Sequence, residues 1–233
     1  MAFPVFECSE PFPKSPFLSL ALLLTDTTSE DSRTPDPGNG GGNPEPDTRL
    51  YFFATQGQYN GNLGGISGAD LICENEKENQ FPDLPGNGST YKAFLVDGVN
   101  RIACANLDGN CTTTTGSVDW VLQPNREYFR SDGASLFTTN SGGIFPFSGP
   151  GDEVLAVPFT TNSADRFWTG LFDDFTVDID LCEGPGPSPW SSDSSAGFGM
   201  VGEGNSRNRS SIHIEVSYAV ACNMSARILC VRQ

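Results

Sequence analysis

Apolar residues change their spacing along this chain, and each spacing predicts an element. Tyr51-Phe-Phe-Ala-Thr55 is an apolar, β-prone run and predicts a first strand. Gly64–Asp70 then opens a helix, with Ala69, Ile72 and Cys73 on one face at helical spacing. Ser67, three residues before Asp70, forms a capping-box-like pair, and the polar Glu74–Gln80 reads as a solvated helix end stopped at Phe81-Pro82. Tyr91–Asp97 is mostly apolar and bounded by Asp-Gly turn chemistry, which predicts a second strand. Val118–Leu122, Gly143–Phe145 and Phe167–Leu171 are shorter strand candidates, and Ala226–Val231 is the closing strand. Ser211–Ser217 alternates strictly, as a half-buried strand does, which would turn His213 outward. Long Gly/Ser/Asn-rich stretches separate these runs, notably 183–210. One or two helices among short strands and long loops predict an α+β domain with its function on loops.

The pattern changes at residue 49. Residues 26–49 are mostly Pro, Gly, Asp, Glu, Ser and Thr, too polar to bury a core, and read as a flexible tether. The chain thus divides into a leader and tether, 1–49, and one domain, 50–233. Phe17–Leu24 is apolar but far short of the ~20 residues that span a bilayer. Its length suits a signal peptide's apolar region, yet no small-residue cleavage site follows. The Gly-rich run at 38–43 leads into neither a helix nor a Lys-Ser/Thr pair, so it is not a phosphate loop.

Composition narrows the class. The 233 residues carry 29 acidic and 13 basic side chains, a net charge of −16. Such a surface repels a phosphate backbone or an anionic bilayer, which disfavours nucleic acid and membrane partners. Seventeen Phe, three Trp and five Tyr can fill a true core. Seven cysteines are too few to replace one. Cys73 in the helix, Cys182 after an acidic stretch, and Cys222 and Cys230 at the end suggest nested bridges, although four cysteines permit three connectivities. Cys104 and Cys111 flank a short Asp-Gly loop and are expected to pair locally. Cys8 is left over. A free thiol is a liability outside the cell, so Cys8 is a candidate lipid anchor, although Val5-Phe6-Glu7 before it matches a lipidation signal poorly.

GISGADLICEN followed by YKAFLVDG, then FWTG, Cys182, Trp190 and the eight-residue Cys222–Cys230 spacing, resembles the endostatin domain of collagens. A closer resemblance is to a leptospiral family of uncharacterised surface proteins related to that fold. Its DWVLxPNxxYxRxDG, FWTGL and terminal LCV stand here at Asp119–Gly133, Phe167–Leu171 and Leu229–Val231. The resemblance spans about residues 50–233. It implies a C-type-lectin-like fold, the nested bridges Cys73–Cys230 and Cys182–Cys222, and export as a lipoprotein or outer-surface protein of a spirochaete. Endostatin's heparin-binding arginine patches and zinc-binding histidines have no counterpart, because arginines are few and His213 is the single histidine.

Candidate chemistry is sparse. Asp173, Asp174, Asp178, Asp180 and Glu183 form the densest acidic cluster, whose oxygens suit calcium, although a solvated loop needs no such ion. Calcium is the sole cofactor candidate. Gln123-Pro124-Asn125 matches the tripeptide with which sugar-binding C-type lectins hold calcium, but no Trp-Asn-Asp follows it. No G-x-S-x-G accompanies His213, and no carboxylate pair has a distinguishing spacing, so no enzyme is expected. Trp190 and Phe198, in Gly/Ser-rich loops, are candidate ligand anchors, with core packing the alternative role for Trp190. The expectation is an extracellular, adhesin-like module for a protein or glycan. The alternative is a calcium-dependent lectin.

Overall fold

Strand β1 (Leu50–Ala54) is apolar at every position because both its faces are covered. Leu50 and Phe52 point into one core, and Tyr51 and Phe53 into another on the opposite side of the sheet. The structure, a computed structural model, describes residues 47–105, 111–183, 188–214 and 219–233. Cys8, the apolar run at 17–24 and most of the tether lie outside these. Asp47 is held against the domain: its carboxylate accepts from Arg49 and from the Tyr51 hydroxyl at 2.9 Å, and its carbonyl accepts from Arg232.

The domain is α+β. Around β1 run β2 (Tyr91–Ala93), β3 (Glu127–Arg130), β4 (Ser135–Thr138) and β9 (Leu229–Arg232), in the order β2-β9-β1-β3-β4. Only β1 and β3 are parallel. Two ribbons, β5 (Arg166–Trp168) with β7 (Val201–Glu203) and β6 (Phe198–Gly199) with β8 (Val220–Ala221), carry the loop region. The helix α1 (Gly65–Gln80) covers one face of the sheet through Ile66, Ala69 and Cys73. On the other face the core is largely aromatic: the Phe52 ring lies 5.4–5.6 Å from those of Phe94, Tyr128, Phe137 and Phe159.

Three disulfides staple this arrangement. Cys73–Cys230 joins α1 to the last strand, and Cys182–Cys222 and Cys104–Cys111 lie within the segment it encloses. Closing a loop of 157 residues removes about 5 kcal/mol of chain entropy from the unfolded state, a large share of a domain's stability.

Several expected elements take other forms. No capping box forms at Ser67: the helix is entered through Gly64 in a left-handed conformation, without a side-chain cap. Asp70 instead faces the sheet. It accepts from the Ala93 N–H at 2.9 Å, from Lys92 at 3.1 Å and from two nitrogens of Arg101 at 2.9 Å. Strand β2 ends at Ala93 because Val96 turns to bond Thr169 and Asp97 closes a turn onto Arg101. Val118–Leu122 and Gly143–Phe145 are loops, joined where the Trp120 indole donates to the Gly143 carbonyl, and Val118 makes one bridge to Ile102. The alternating segment from Ser211 starts inside a 3-10 turn (Arg209–Ser211), and its end, 215–217, lies outside the described residues.

Arg101 has no exposed side-chain surface. Its removal takes the strongest partner from Asp70 and leaves the Ala93 carbonyl without its guanidinium; burial would raise the Asp70 pKa, but Arg101, the Ala93 N–H and Lys92 together hold it below the usual range. Arg101→Met should therefore cost about 3–5 kcal/mol in urea unfolding. Asp119→Asn removes a half-exposed partner of the same guanidinium and should cost about 1 kcal/mol or less.

Candidate functional site

Beyond β5 the chain makes a tight hairpin whose tip carries the acidic cluster. Leu171 bridges Val177, the Phe172 N–H donates to the Thr176 carbonyl, and Phe175 N–H donates to the Phe172 carbonyl. Gly170 opens this hairpin at φ 66°, where a Cβ would meet Leu181, the Val96 carbonyl and Trp190 within 3 Å. Phe175 also sits in the left-handed region, at φ 67°, which costs a non-glycine residue about 1–2 kcal/mol. Full burial of its ring offsets that cost. The ring packs edge-on to Phe145 at 4.8 Å and lies nearly parallel to Phe147 at 6.3 Å.

The buried Phe175 anchors the turn, and Asp173 and Asp174 project beside a pocket of about 240 Å³. Its other walls are Ile144, Pro146 and Phe147 from the loop after β4, and Arg209 from the 3-10 turn. Asp173 Oδ2 pairs with Arg209 Nη1 at 3.1 Å. Asp174 Oδ1 accepts from the Thr176 N–H at 2.9 Å and its hydroxyl at 2.5 Å. Asp173 Oδ1 and Asp174 Oδ2 have no protein partner among the described residues.

The remaining carboxylates of the sequence cluster diverge from this point. Asp178 is buried, and its Oδ1 accepts from the Asp180 N–H at 2.8 Å. Its Oδ2 faces His213 Nε2 at 3.7 Å. Asp180 is half-buried, with its pKa raised by burial and by Asp178, while Glu183 is exposed. No group of three or more His, Cys, Asp or Glu among the described residues could hold a metal ion. Of these carboxylates, Asp174 and Asp178 serve as turn acceptors and Asp173 as an ion-pair partner.

His213 is buried, with 6% of its surface exposed, where strict alternation placed it on the surface. After the 3-10 turn the segment passes under the hairpin, and Ile212, His213 and Ile214 are all covered, His213 by the Phe172 ring at 5.5 Å. Trp190 is likewise no surface anchor. Its indole is fully buried, donates to the Val96 carbonyl at 2.8 Å and packs on Trp168 at 5.8 Å. Phe198 remains on the surface at 48% exposure. Gln123-Pro124-Asn125 is a turn into β3, held by the Tyr128 hydroxyl, Thr139 and the Asn140 carbonyl. Sequence reasoning missed Phe147 and Arg209. Proximity in sequence to the acidic cluster could not have found them, because both reach the pocket from distant loops.

The family model for proteins of unknown function, DUF1554, matches residues 56–207, a stretch that includes every residue of the pocket except Arg209, and the chain belongs to that family. No curated protein matches it.

Burial pulls the His213 imidazole below its ordinary 6.5; Asp173, Asp178 and Asp174 oppose the shift, and Arg209 adds to it. The unfolded chain therefore binds this proton first, and stability should fall as pH drops below about 6.5, above the ordinary range of carboxylates. His213 is the single histidine of the chain, so His213→Gln should flatten denaturant midpoints between about pH 7 and pH 5.

Proposed function

We propose that this DUF1554 chain is a non-enzymatic binding module that works outside the cell or at its surface and grips a protein partner through its loops. One observation carries the reading. The hairpin that walls the pocket and the segment that follows it expose apolar side chains, Phe172 at 36% and Ile179 at 85%, between carboxylates. Exposed apolar residues beside a concave, charged surface are typical of an interaction site. The hairpin is backed by the aromatic core and ends at the Cys182–Cys222 bridge, so little ordering is needed on binding.

Three disulfides favour an oxidising compartment, in keeping with export. The enclosing Cys73–Cys230 bridge, the enclosed Cys182–Cys222 bridge, one helix and long loops support kinship with C-type-lectin-like domains of the endostatin kind. Cys8 is the residue we assign to lipid attachment on the surface of a spirochaete. Partners are host or environmental proteins, adhesin fashion, in preference to sugars held through calcium.

Arrays of extracellular proteins and of glycans, probed with the full chain with and without chelator, test this. The expected outcome is retention on a protein, insensitive to chelator, weakened by salt and lost in Ile179→Ala without a change in melting temperature. Binding confined to a glycan and abolished by chelator would replace this reading with the lectin one.

A further inference from the structure

We infer that Phe172 is a lid over His213 and that protonation of His213 releases it, so that the apolar face of the 171–177 hairpin is whole near neutral pH and dismantled in mild acid. What the lid regulates rests on the binding-module reading; the opening itself needs no partner.

The closed site suits a neutral imidazole. His213 keeps 6% of its surface exposed, and Asp178, which faces it, 4%. The His213 Nδ1 atom has no protein partner among the described residues. Nε2 stands 3.7 Å from Asp178 Oδ2, which also lacks a partner, and that gap is beyond hydrogen-bond reach. A protonated imidazole carries two N–H donors. Both would stay unmade here, and a charge would be added to their burial. Asp178 is not free to close the gap. Its Oδ1 accepts from the Asp180 N–H at 2.8 Å, and its own N–H donates to the Gly170 carbonyl at 2.8 Å.

The charged groups around the ring do not reverse that balance. Asp173 and Asp174 on the hairpin and Asp178 after it favour the imidazolium, and Arg209 on the 3-10 turn opposes it. Burial is the largest influence and holds the proton affinity below its ordinary value. Asp180, half-buried beside Asp178 with its pKa raised, is the competing proton acceptor.

Hydration of the imidazolium therefore requires an opening, and the cover is thinnest at Phe172. Its ring lies 5.5 Å from the imidazole and is 36% exposed, whereas the chain neighbours Ile212 and Ile214 are buried in the two cores. Phe175 stays anchored against Phe145 and Phe147, which confines the movement to Phe172 and the turn it begins. Water admitted there reaches the imidazole and the unpaired Asp178 oxygen together. One ring thus serves two surfaces: its outer edge belongs to the apolar binding face, and its inner side covers a titrating group.

The test follows the full chain by NMR between pH 7 and pH 5. His213 is the single histidine, so its Cε1–H resonance reports its protonation directly. Phe172→Ala removes the lid and should raise the proton affinity of His213 about threefold or more. Amide exchange, divided by the intrinsic rate at each pH, reads the opening. The Phe172 and Phe175 N–H groups donate to the Thr176 and Phe172 carbonyls, and their protection should fall about tenfold from pH 7 to pH 5. Amides of the central strand β1 should remain at least about tenfold better protected than these at pH 5. His213→Gln should hold the hairpin protection to within about twofold over the same range, and Asp180→Asn should leave the fall intact. Where His213→Gln fails to fold, the Phe172→Ala titration decides by itself. An unchanged His213 titration in Phe172→Ala overturns the inference. So do hairpin and β1 amides that lose protection together, or a fall that survives His213→Gln or disappears in Asp180→Asn. Release of an array-bound protein at pH 5 is read separately, so the binding-module reading stands or falls without the lid.

Discussion

All five N–H groups of the Arg101 guanidinium find acceptors: both carboxylate oxygens of Asp70, the Ala93 carbonyl, and the carbonyl and carboxylate of Asp119. These partners lie on α1, on β2 and in the loop that leads toward β3. One buried cation thus fixes where the helix crosses the sheet and where the long excursion after β2 returns. Cys73 sits one helical turn beyond Asp70, so its bridge to Cys230 clamps the same helix to the last strand. The loop-side core is then assembled against a sheet whose two faces are already set. The pocket depends on that rigidity, because the strained Phe175 holds its conformation only while Phe145 and Phe147 surround it.

Elements with strong local signals were legible in the sequence. The β1 run, the helix from Gly65 and the closing β9 stand where hydrophobic spacing puts them, within a residue or two at their ends, or three at the start of β9, whereas the strand expected over Phe167–Leu171 is cut to Arg166–Trp168. The β3–β4 hairpin was missed although Asp132-Gly133 carries a turn signal between its strands, because Glu127–Arg130 and Ser135–Thr138 mix polar with apolar residues. The alternation around His213 misled for a physical reason: alternation reports a strand with one wet face, and the hairpin dries that face by placing Phe172 over it. Trp190 was ambiguous because nothing local shows that its indole will reach Val96, 94 residues earlier in the chain.

The acidic cluster holds a related lesson. Its five carboxylates are close in sequence, but the hairpin sends Asp178 inward and leaves Asp173 and Asp174 at the pocket, one of them opposite an arginine contributed from residue 209. Density in sequence therefore overstates density in space. Electrostatic character here is decided by which residues a turn geometry separates, and by the cation that a distant loop returns.

The placement of β1 bears on how the domain withstands force. It lies in the middle of the sheet, hydrogen-bonded to β9 on one side and β3 on the other. Tension between Asp47 and Gln233 enters β1 and β9 at the same end, because the two strands are antiparallel with Phe52 opposite Val231, so it peels their ladder bonds one after another. Once they fail, extension stops at Cys73, because the bridge to Cys230 carries the load across and leaves the segment it encloses slack. Resistance to pulling is governed by the unfolding rate, and this layout confines that risk to the short stretch before the first staple.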